Sequence, residues 1–204
     1  MKVVFTDLDG TLLDSGNYSF NAALPALAHL KERSIPWIIV TSKTRAEVEY
    51  WRRVLNNNHP FIVENGGAAF VPANYFPSVV RGHSRNGYMV MEWGAPYERL
   101  TSALDSASRA SQCAVTGFHH MTPAEVAAAC DIPLEQAALA KVREYDEPFR
   151  ILDQSRSEQL FASIKRQELQ YTRGGRFWHI TGLNDKAGAV GELIELFGKK
   201  YGGV

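Results

Sequence analysis

Apolar residues occur along the chain in three short runs that do not alternate with polar residues. The runs are Val3–Phe5, Trp37–Val40 and Phe61–Val63. An unalternating run bounded by turn residues is typical of a strand buried on both faces, as in a parallel sheet. Between the runs, Asn21–Arg33 and Ala46–Leu55 carry apolar residues at helical spacing. The order strand, helix, strand, helix, strand predicts a right-handed, Rossmann-like α/β core.

The pattern changes after Pro72, where proline and glycine become frequent. The predicted strands there are Tyr88–Trp93, Phe149–Leu152 and Arg176–Thr181, and the predicted helices are Tyr97–Ala110, Pro133–Val142 and Ser155–Gln167, with a capping box at Thr122–Glu125. This mixture predicts an α+β domain that is inserted into the core. We therefore expect a core of residues 1–76 and 181–204, and a cap of residues 77–180.

Composition excludes several classes of partner. The chain has 204 residues, of which 22 are basic and 22 acidic, so its charge creates no field that favours nucleic acid or an anionic membrane. No apolar run is long enough to span a membrane, and the amino terminus lacks a signal-peptide pattern. Cys113 and Cys130 have no metal-ligand spacing and indicate the reduced thiols of a cytoplasmic protein.

Two carboxylates follow the first apolar run. Asp7 and Asp9 precede Gly10, which lets the chain turn. In open α/β sheets, ligands bind at the carboxyl ends of the strands. Two such carboxylates can share a divalent cation and a phosphoryl group, one attacking phosphorus to give an aspartyl-phosphate and the other transferring a proton. The alternative is a solvated turn, because Asp and Gly are ordinary turn residues.

The next two strands also end in residues that can hold a phosphate. The hydroxyl of Thr41 precedes a helix amino terminus, and Lys43 and Arg45 add positive charge. A helix cap with solvated basic residues is the alternative there. At Glu64–Gly67, two glycines permit positive φ or a close approach to a ligand, and a tight hairpin turn would use them equally well.

Later in the chain, two basic residues are candidates for ligand binding. Arg176 begins an otherwise apolar and aromatic strand and can hold a carboxylate through two hydrogen bonds. Lys186 begins the last helix and can neutralise charge between a nucleophile and a phosphate. Surface charge explains Arg143–Glu147 almost as well as a binding role does. His119 and His120 have no third metal ligand nearby in the sequence and are interpreted as surface histidines.

The segment Asp7–Asp14, Asp-Leu-Asp-Gly-Thr-Leu-Leu-Asp, resembles the nucleophile motif of the haloacid dehalogenase (HAD) superfamily of phosphatases. The whole chain resembles the members of that superfamily that carry an α/β cap of type IIB. The resemblance implies that Asp7 is the nucleophile, that Asp9 is the general acid and base, and that both bind Mg²⁺. Thr41 and Lys186 match the hydroxyl of the second motif and the lysine of the third.

Four further stretches resemble the mannosyl-3-phosphoglycerate phosphatase subfamily: Ser42–Arg45, Glu64–Gly67, Arg143–Glu147 and Gly174–His179. This resemblance implies that the substrate is a small phosphorylated sugar-glycerate compound. The residues that we expect to bind it are Lys43, Asn65, Gly66 and Arg176.

One part of the HAD pattern has no match in the sequence. The superfamily carries a fourth motif, an acidic loop that supplies further magnesium ligands. We therefore expect a family member that is cut short at its carboxyl end, with Val3–Phe5 at a sheet edge that favours self-association. Three functions stay open: a magnesium-dependent phosphomonoesterase, a sugar-phosphate mutase, and a catalytically weak phosphate-binding module.

Overall fold

The computed structural model describes residues 2–14, 16–77 and 81–202. The chain divides into two compact units. The first comprises Met1–Ser42, Tyr50–Glu92 and Asp185–Val204, and the second comprises Lys43–Glu49 and Trp93–Asn184. Within the described residues, no helix combines the length and the apolar character that crossing a lipid bilayer requires.

The first unit contains a six-stranded sheet. Its strands are β1 (Val4–Thr6), β2 (Trp37–Val40), β3 (Phe61–Val63), β4 (Ala68–Pro72), β5 (His83–Arg85) and β6 (Tyr88–Glu92). They lie in the order β1-β2-β3-β4-β6-β5. The first three strands are parallel, and each later neighbour pairs antiparallel. The three unalternating runs of the sequence therefore form the parallel half of the sheet, as predicted.

Helices α1 (Leu24–Glu32) and α7 (Lys186–Tyr201) belong to this unit, and α2 (Arg45–Val54) belongs to it from Tyr50 onwards. All four residues of β2 are buried, which explains why this run lacks polar residues. Helix α7 buries Leu193 and Phe197, and the ring of Phe197 packs edge-on against Phe76 at a centroid distance of 5.0 Å. This packing fixes the helix whose first residue is Lys186.

The sequence pattern places Tyr88–Trp93 in the cap, but the structure pairs β6 with β4 in the first unit's sheet. Of the glycine and proline residues in this region, Gly87 lies in the turn of a hairpin formed by β5 and β6. Asn86 and Gly87 both have positive φ, 49° and 82°, as a two-residue type I′ turn requires between β5 and β6. The boundaries at residues 76 and 181 stay a prediction.

The second unit has its own antiparallel sheet, formed by β7 (Val115–Gly117), β8 (Asp146–Ile151), β9 (Gln170–Gly174) and β10 (Phe177–Thr181) in the order β7-β8-β10-β9. Its helices are α3 (Tyr97–Ser111), α4 (Pro123–Cys130), α5 (Leu134–Ala140) and α6 (Ser157–Lys165). Leu104, Phe149 and Leu160 are fully buried in its core. The predicted α+β composition and the capping box at Thr122 are both present, whereas β7 and β9 were not predicted.

Candidate active site

Asp7 directly follows β1, and its backbone neighbours hold it in place. The Leu8 N–H donates to Oδ1 of Asp7 at 2.8 Å. Leu8 and Leu13 are both buried and anchor the turn, in which Leu8 O accepts the N–H of Leu13 at 2.8 Å. Gly10 has a φ of 67°, which a residue with a side chain adopts at a cost. The turn therefore leaves the carboxylate at the carboxyl end of the strand, half exposed.

Lys186 reaches Asp7 from the other end of the chain. Its Nζ donates to Oδ2 of Asp7 at 2.6 Å, and both side chains are more than a third exposed. Helix α7 begins at this lysine because Asp185 is its N-cap, with Oδ1 accepting the Gly188 N–H at 2.7 Å. The sequence prediction that these two residues cooperate is thus consistent with their contact, although their catalytic roles stay predictions.

Thr41 lies at the carboxyl end of β2 and is fully buried. Its N–H donates to Ile62 O, and its carbonyl oxygen accepts the N–H of Asn65, both at 3.1 Å. By the register of β1 and β2, Thr41 lies at the same edge of the sheet as Asp7. The backbone bonds join the end of β2 to the turn that follows β3.

The turn Glu64–Gly66 is held in left-handed backbone conformations, with φ values of 46°, 57° and 86°. A Cβ atom on Gly66 would lie 2.1 Å from the carbonyl oxygen of Asp185 and 2.9 Å from the backbone nitrogen of Lys186. Only glycine therefore allows this turn to contact the start of α7. The structure gives Gly66 a packing role that the sequence did not suggest, while its predicted role in substrate binding stays a prediction.

Asp7 and Asp9 offer the oxygen ligands that Mg²⁺ prefers. Asp9 is exposed in the loop after β1, two residues from Asp7, and pairs by backbone with Leu13. The Asp7 carboxylate and the backbone carbonyl oxygen of Asp9 fit a hard cation, and they supply only part of an octahedral shell, so water and substrate oxygens would complete it. This donor set is chemically distinct from one that contains nitrogen or sulfur ligands.

The two remaining predicted residues lie in the second unit. Nζ of Lys43 is 3.2 Å from Oε1 of Glu47, and this ion pair is buried. Arg176 is exposed and lies in the turn between β9 and β10. The sequence pattern predicted that the strand begins at Arg176, whereas β10 begins one residue later, at Phe177. Its Nη1 donates to Cys130 O at 2.8 Å. Neither contact tests a role in substrate binding.

Sequence reasoning missed one polar network of the second unit. The side chain of His119 is only 18% exposed, so its interpretation as a surface histidine is wrong. It contacts Glu147, whose side chain is fully buried. The sequence gives no clear signal for this network, because Glu147 lies outside the predicted strand Phe149–Leu152 and its partners are distant from it in the sequence.

A cavity of about 730 Å³ also occurs in the first unit. It is lined by Pro36 and Trp37 at the amino end of β2, together with Leu27, Leu55 and Tyr75. Asp7 follows the carboxyl end of the neighbouring parallel strand, so this cavity is at the opposite end of the sheet from the carboxylates. It is therefore not the candidate active site.

Comparison with known proteins agrees with the geometry of the loop that carries Asp7 and Asp9. A family model described as haloacid dehalogenase-like hydrolase matches residues 4–76. The glucosyl-3-phosphoglycerate/mannosyl-3-phosphoglycerate phosphatase of Methanococcoides burtonii is 42% identical over 98% of this chain and 74% of its own length. The chain belongs to the haloacid dehalogenase-like hydrolases. Within this family it is a phosphatase, a hydrolase of phosphoric monoesters.

Further relatives give the same family. The mannosyl-3-phosphoglycerate phosphatase of Pyrococcus furiosus is 36% identical over 97% of this chain and 78% of its own length. Among solved structures, a HAD subclass IIB sugar phosphatase has a TM-score of 0.63 at 17% identity, covering 97% of this chain and 76% of that one. This last similarity is evidence for the fold alone. It confirms the predicted HAD core with an inserted cap.

Proposed function

We propose that this phosphatase hydrolyses the phosphate ester of a hexosyl-3-phosphoglycerate, carrying either mannose or glucose. The names of the relatives from Methanococcoides burtonii and Pyrococcus furiosus support this substrate class. The catalytic part of this proposal rests on the 2.6 Å contact between Lys186 Nζ and Asp7 Oδ2. This contact pairs an ammonium group with a carboxylate at the carboxyl end of a parallel strand, where ligands bind in open α/β sheets.

In the proposed reaction, a carboxylate oxygen of Asp7 attacks phosphorus and the bond from phosphorus to the sugar-glycerate oxygen breaks. Asp9 gives its proton to the departing oxygen. Asp9 then removes a proton from water, whose oxygen attacks the aspartyl-phosphate, and the bond between phosphorus and Asp7 breaks. Inorganic phosphate is released and both carboxylates return to their first state.

Two groups stabilise the negative charge of the phosphoryl oxygens in this proposal. The ammonium group of Lys186 contacts Asp7 and forms an ion pair with the phosphoryl oxygens when the substrate binds. The Thr41 hydroxyl donates a hydrogen bond to the same phosphoryl group. Mg²⁺, held by oxygens of Asp7 and Asp9, supplies further positive charge when bound. We assign contacts with the rest of the substrate to Lys43, Asn65, Gly66 and Arg176.

The test of the nucleophile is Asp7→Asn. An amide has nearly the size of a carboxylate but is a far weaker nucleophile, so phosphate release should fall by at least about 10³-fold while the fold persists. Phosphate release is measured with mannosyl- and glucosyl-3-phosphoglycerate and with unrelated sugar phosphates. Near-normal turnover of the variant would remove Asp7 from this role, and equal turnover of all the esters would remove the substrate assignment.

Asp14→Asn is the matched control. Asp14 belongs to the same acidic segment, and its Oδ1 accepts the N–H groups of Gly16 and Asn17 at 2.9 and 3.1 Å. An asparagine can accept the same hydrogen bonds, so we expect this variant to keep its activity. A comparable loss in both variants would point to a disturbed loop instead of a lost nucleophile.

We also propose that the protein self-associates through β1. This strand is at the end of the first unit's sheet, next to β2 alone among the described strands. The Val4 N–H donates to Pro36 O, so the N–H groups of Val3 and Phe5 point to the other side because successive residues of a strand alternate. A second copy could pair with this side.

A further inference from the structure

The second unit contains a cluster of side chains of the kinds that bind transition metals. Among the described residues, Asp105, His119 and His120 form a group whose ligand atoms all lie within 4.8 Å of one another. Asp105 is on α3, and the two histidines end the 3-10 turn Phe118–His120 that follows β7. The cluster thus joins a helix to a turn that is distant from it in the sequence.

The distances within the cluster match the dimensions of a zinc site. Nε2 of His119 and Nε2 of His120 each lie 3.2 Å from Oδ1 of Asp105. Tetrahedral zinc has bonds of about 2.0 Å to nitrogen and oxygen, which puts neighbouring ligand atoms about 3.3 Å apart. Two edges of such a tetrahedron are therefore already formed by these side chains.

His119 is oriented by groups behind it, as a metal ligand usually is. Its Nδ1 lies 2.6 Å from Oε1 of Glu147, and its backbone N–H donates to the same oxygen at 3.1 Å. The fully buried Glu147 also accepts a hydrogen bond of 2.6 Å from the Tyr97 hydroxyl. With Nδ1–H directed at Glu147, the ring turns Nε2 towards Asp105.

The side-chain atoms that meet at this point have the chemistry of transition-metal ligands. Two imidazole nitrogens and one carboxylate oxygen form a donor set that suits zinc and its neighbours, in contrast to the oxygen-only set at Asp7 and Asp9.

We propose that Asp105, His119 and His120 bind one Zn²⁺ ion, which cross-links the turn after β7 to α3 in the second unit. A water molecule or an anion would take the fourth position. Metal-bound His120 carries its hydrogen on Nδ1 and gives up the long 3.3 Å contact from the Gly117 N–H. Its side chain is 42% exposed and has room to adjust.

Gly117 supports the same arrangement. A Cβ atom at this position would lie 2.2 Å from Oε1 of Glu147 and 2.7 Å from Nδ1 of His119. Glycine therefore allows the chain to pass directly beside the contact between Glu147 and His119. A purely solvated pair of histidines would need neither this close approach nor a buried carboxylate behind one ring.

The test measures metal binding by the full chain after treatment with a chelator. Zn²⁺ is titrated against a chromophoric competitor, and Co²⁺ is added as a spectroscopic substitute. We expect one tight Zn²⁺ site per chain, intense visible Co²⁺ bands of tetrahedral coordination, and a higher melting temperature with Zn²⁺. A weak octahedral Co²⁺ spectrum, or no bound Zn²⁺, would overturn the proposal.

Variants then locate the site. His120→Ala and Asp105→Asn each remove one ligand and should weaken Zn²⁺ binding by at least about 100-fold, while Glu147→Gln should weaken it by about 10- to 100-fold through the orientation of His119. His29→Ala, an exposed histidine of α1, controls for adventitious surface binding, and Asp7→Asn controls for binding at the catalytic carboxylates. Unchanged Zn²⁺ affinity in both His120→Ala and Asp105→Asn would also overturn it.

Discussion

Gly66 lies where the turn after β3 touches the first residues of α7, and its missing side chain helps to determine where Lys186 stands. The backbone of Asp185 and Lys186 occupies the space that a Cβ atom would fill. A larger residue would have to push away the start of the helix that carries the lysine. A small change here should therefore alter the contact between Lys186 and Asp7.

Gly66→Ala should lower both stability and activity. Gly87→Ala is the matched control, because Gly87 has a similar φ of 82° but no neighbouring atom within 4 Å of the position that a Cβ would take. We expect the control to lose about 1 kcal/mol of unfolding free energy from backbone strain alone. Gly66→Ala should lose about 2 kcal/mol more through the steric clash. Urea unfolding and phosphate release check this, and equal losses in the two variants would contradict it.

His59 gives the first unit a titratable group whose behaviour follows from its surroundings. Burial, aided by the charges of Arg52 and Lys200, lowers the pKa of this imidazole from its ordinary 6.5. Its Nδ1 lies 2.8 Å from the Tyr75 hydroxyl. The unfolded chain therefore takes up a proton at a pH where the folded chain still resists it.

Stability should fall as the pH drops below the unfolded pKa of 6.5 towards the lower folded pKa. His59→Asn, which can still accept from the Tyr75 hydroxyl, should flatten this part of the pH dependence. His29→Asn, at an exposed position, should leave it unchanged. The measurement is the unfolding free energy of all three proteins between about pH 7.5 and 5. Parallel curves for the wild type and His59→Asn would exclude His59 as the cause.

At the scale of elements, the sequence predicts best those strands and helices whose own residues determine them. The unalternating apolar runs at β1, β2 and β3 correctly indicated parallel strands, because burial on both faces leaves no place for polar residues. The short strands β5 and β7 escaped prediction. His83–Arg85 is wholly polar, and its strand structure depends on pairing with β6 and not on its own composition.

In the candidate site too, residues that are identified by their own segment were predictable, and features that depend on packing between distant parts of the chain were not. The sequence predicted that Asp7 and Lys186 act together, and the structure brings these residues into contact although 179 positions separate them. The packing role of Gly66 was not predictable, because it depends on the backbone of Asp185, which only the folded chain brings near. The network around Glu147 was missed for a similar reason: its partners come from α3 and from the turn after β7.

At the scale of the whole molecule, the position of β1 bears on association. The strand is half-buried along its length and is the terminal strand of its sheet among the described residues. An apolar edge strand of this kind exposes backbone groups that can pair with another chain. Pairing between copies through this strand stays a prediction.

Val3→Pro is the variant that tests this pairing. Val3 precedes β1, and its N–H points away from β2, so proline removes a donor from the open side without removing a bond to β2. We expect the wild type to associate with increasing concentration in sedimentation velocity and the variant to stay monomeric. Val3→Ala, which shortens the same side chain but keeps the N–H, should associate as the wild type does. A wild type that is monomeric throughout, or a proline variant that associates equally well, would exclude β1 as the contact.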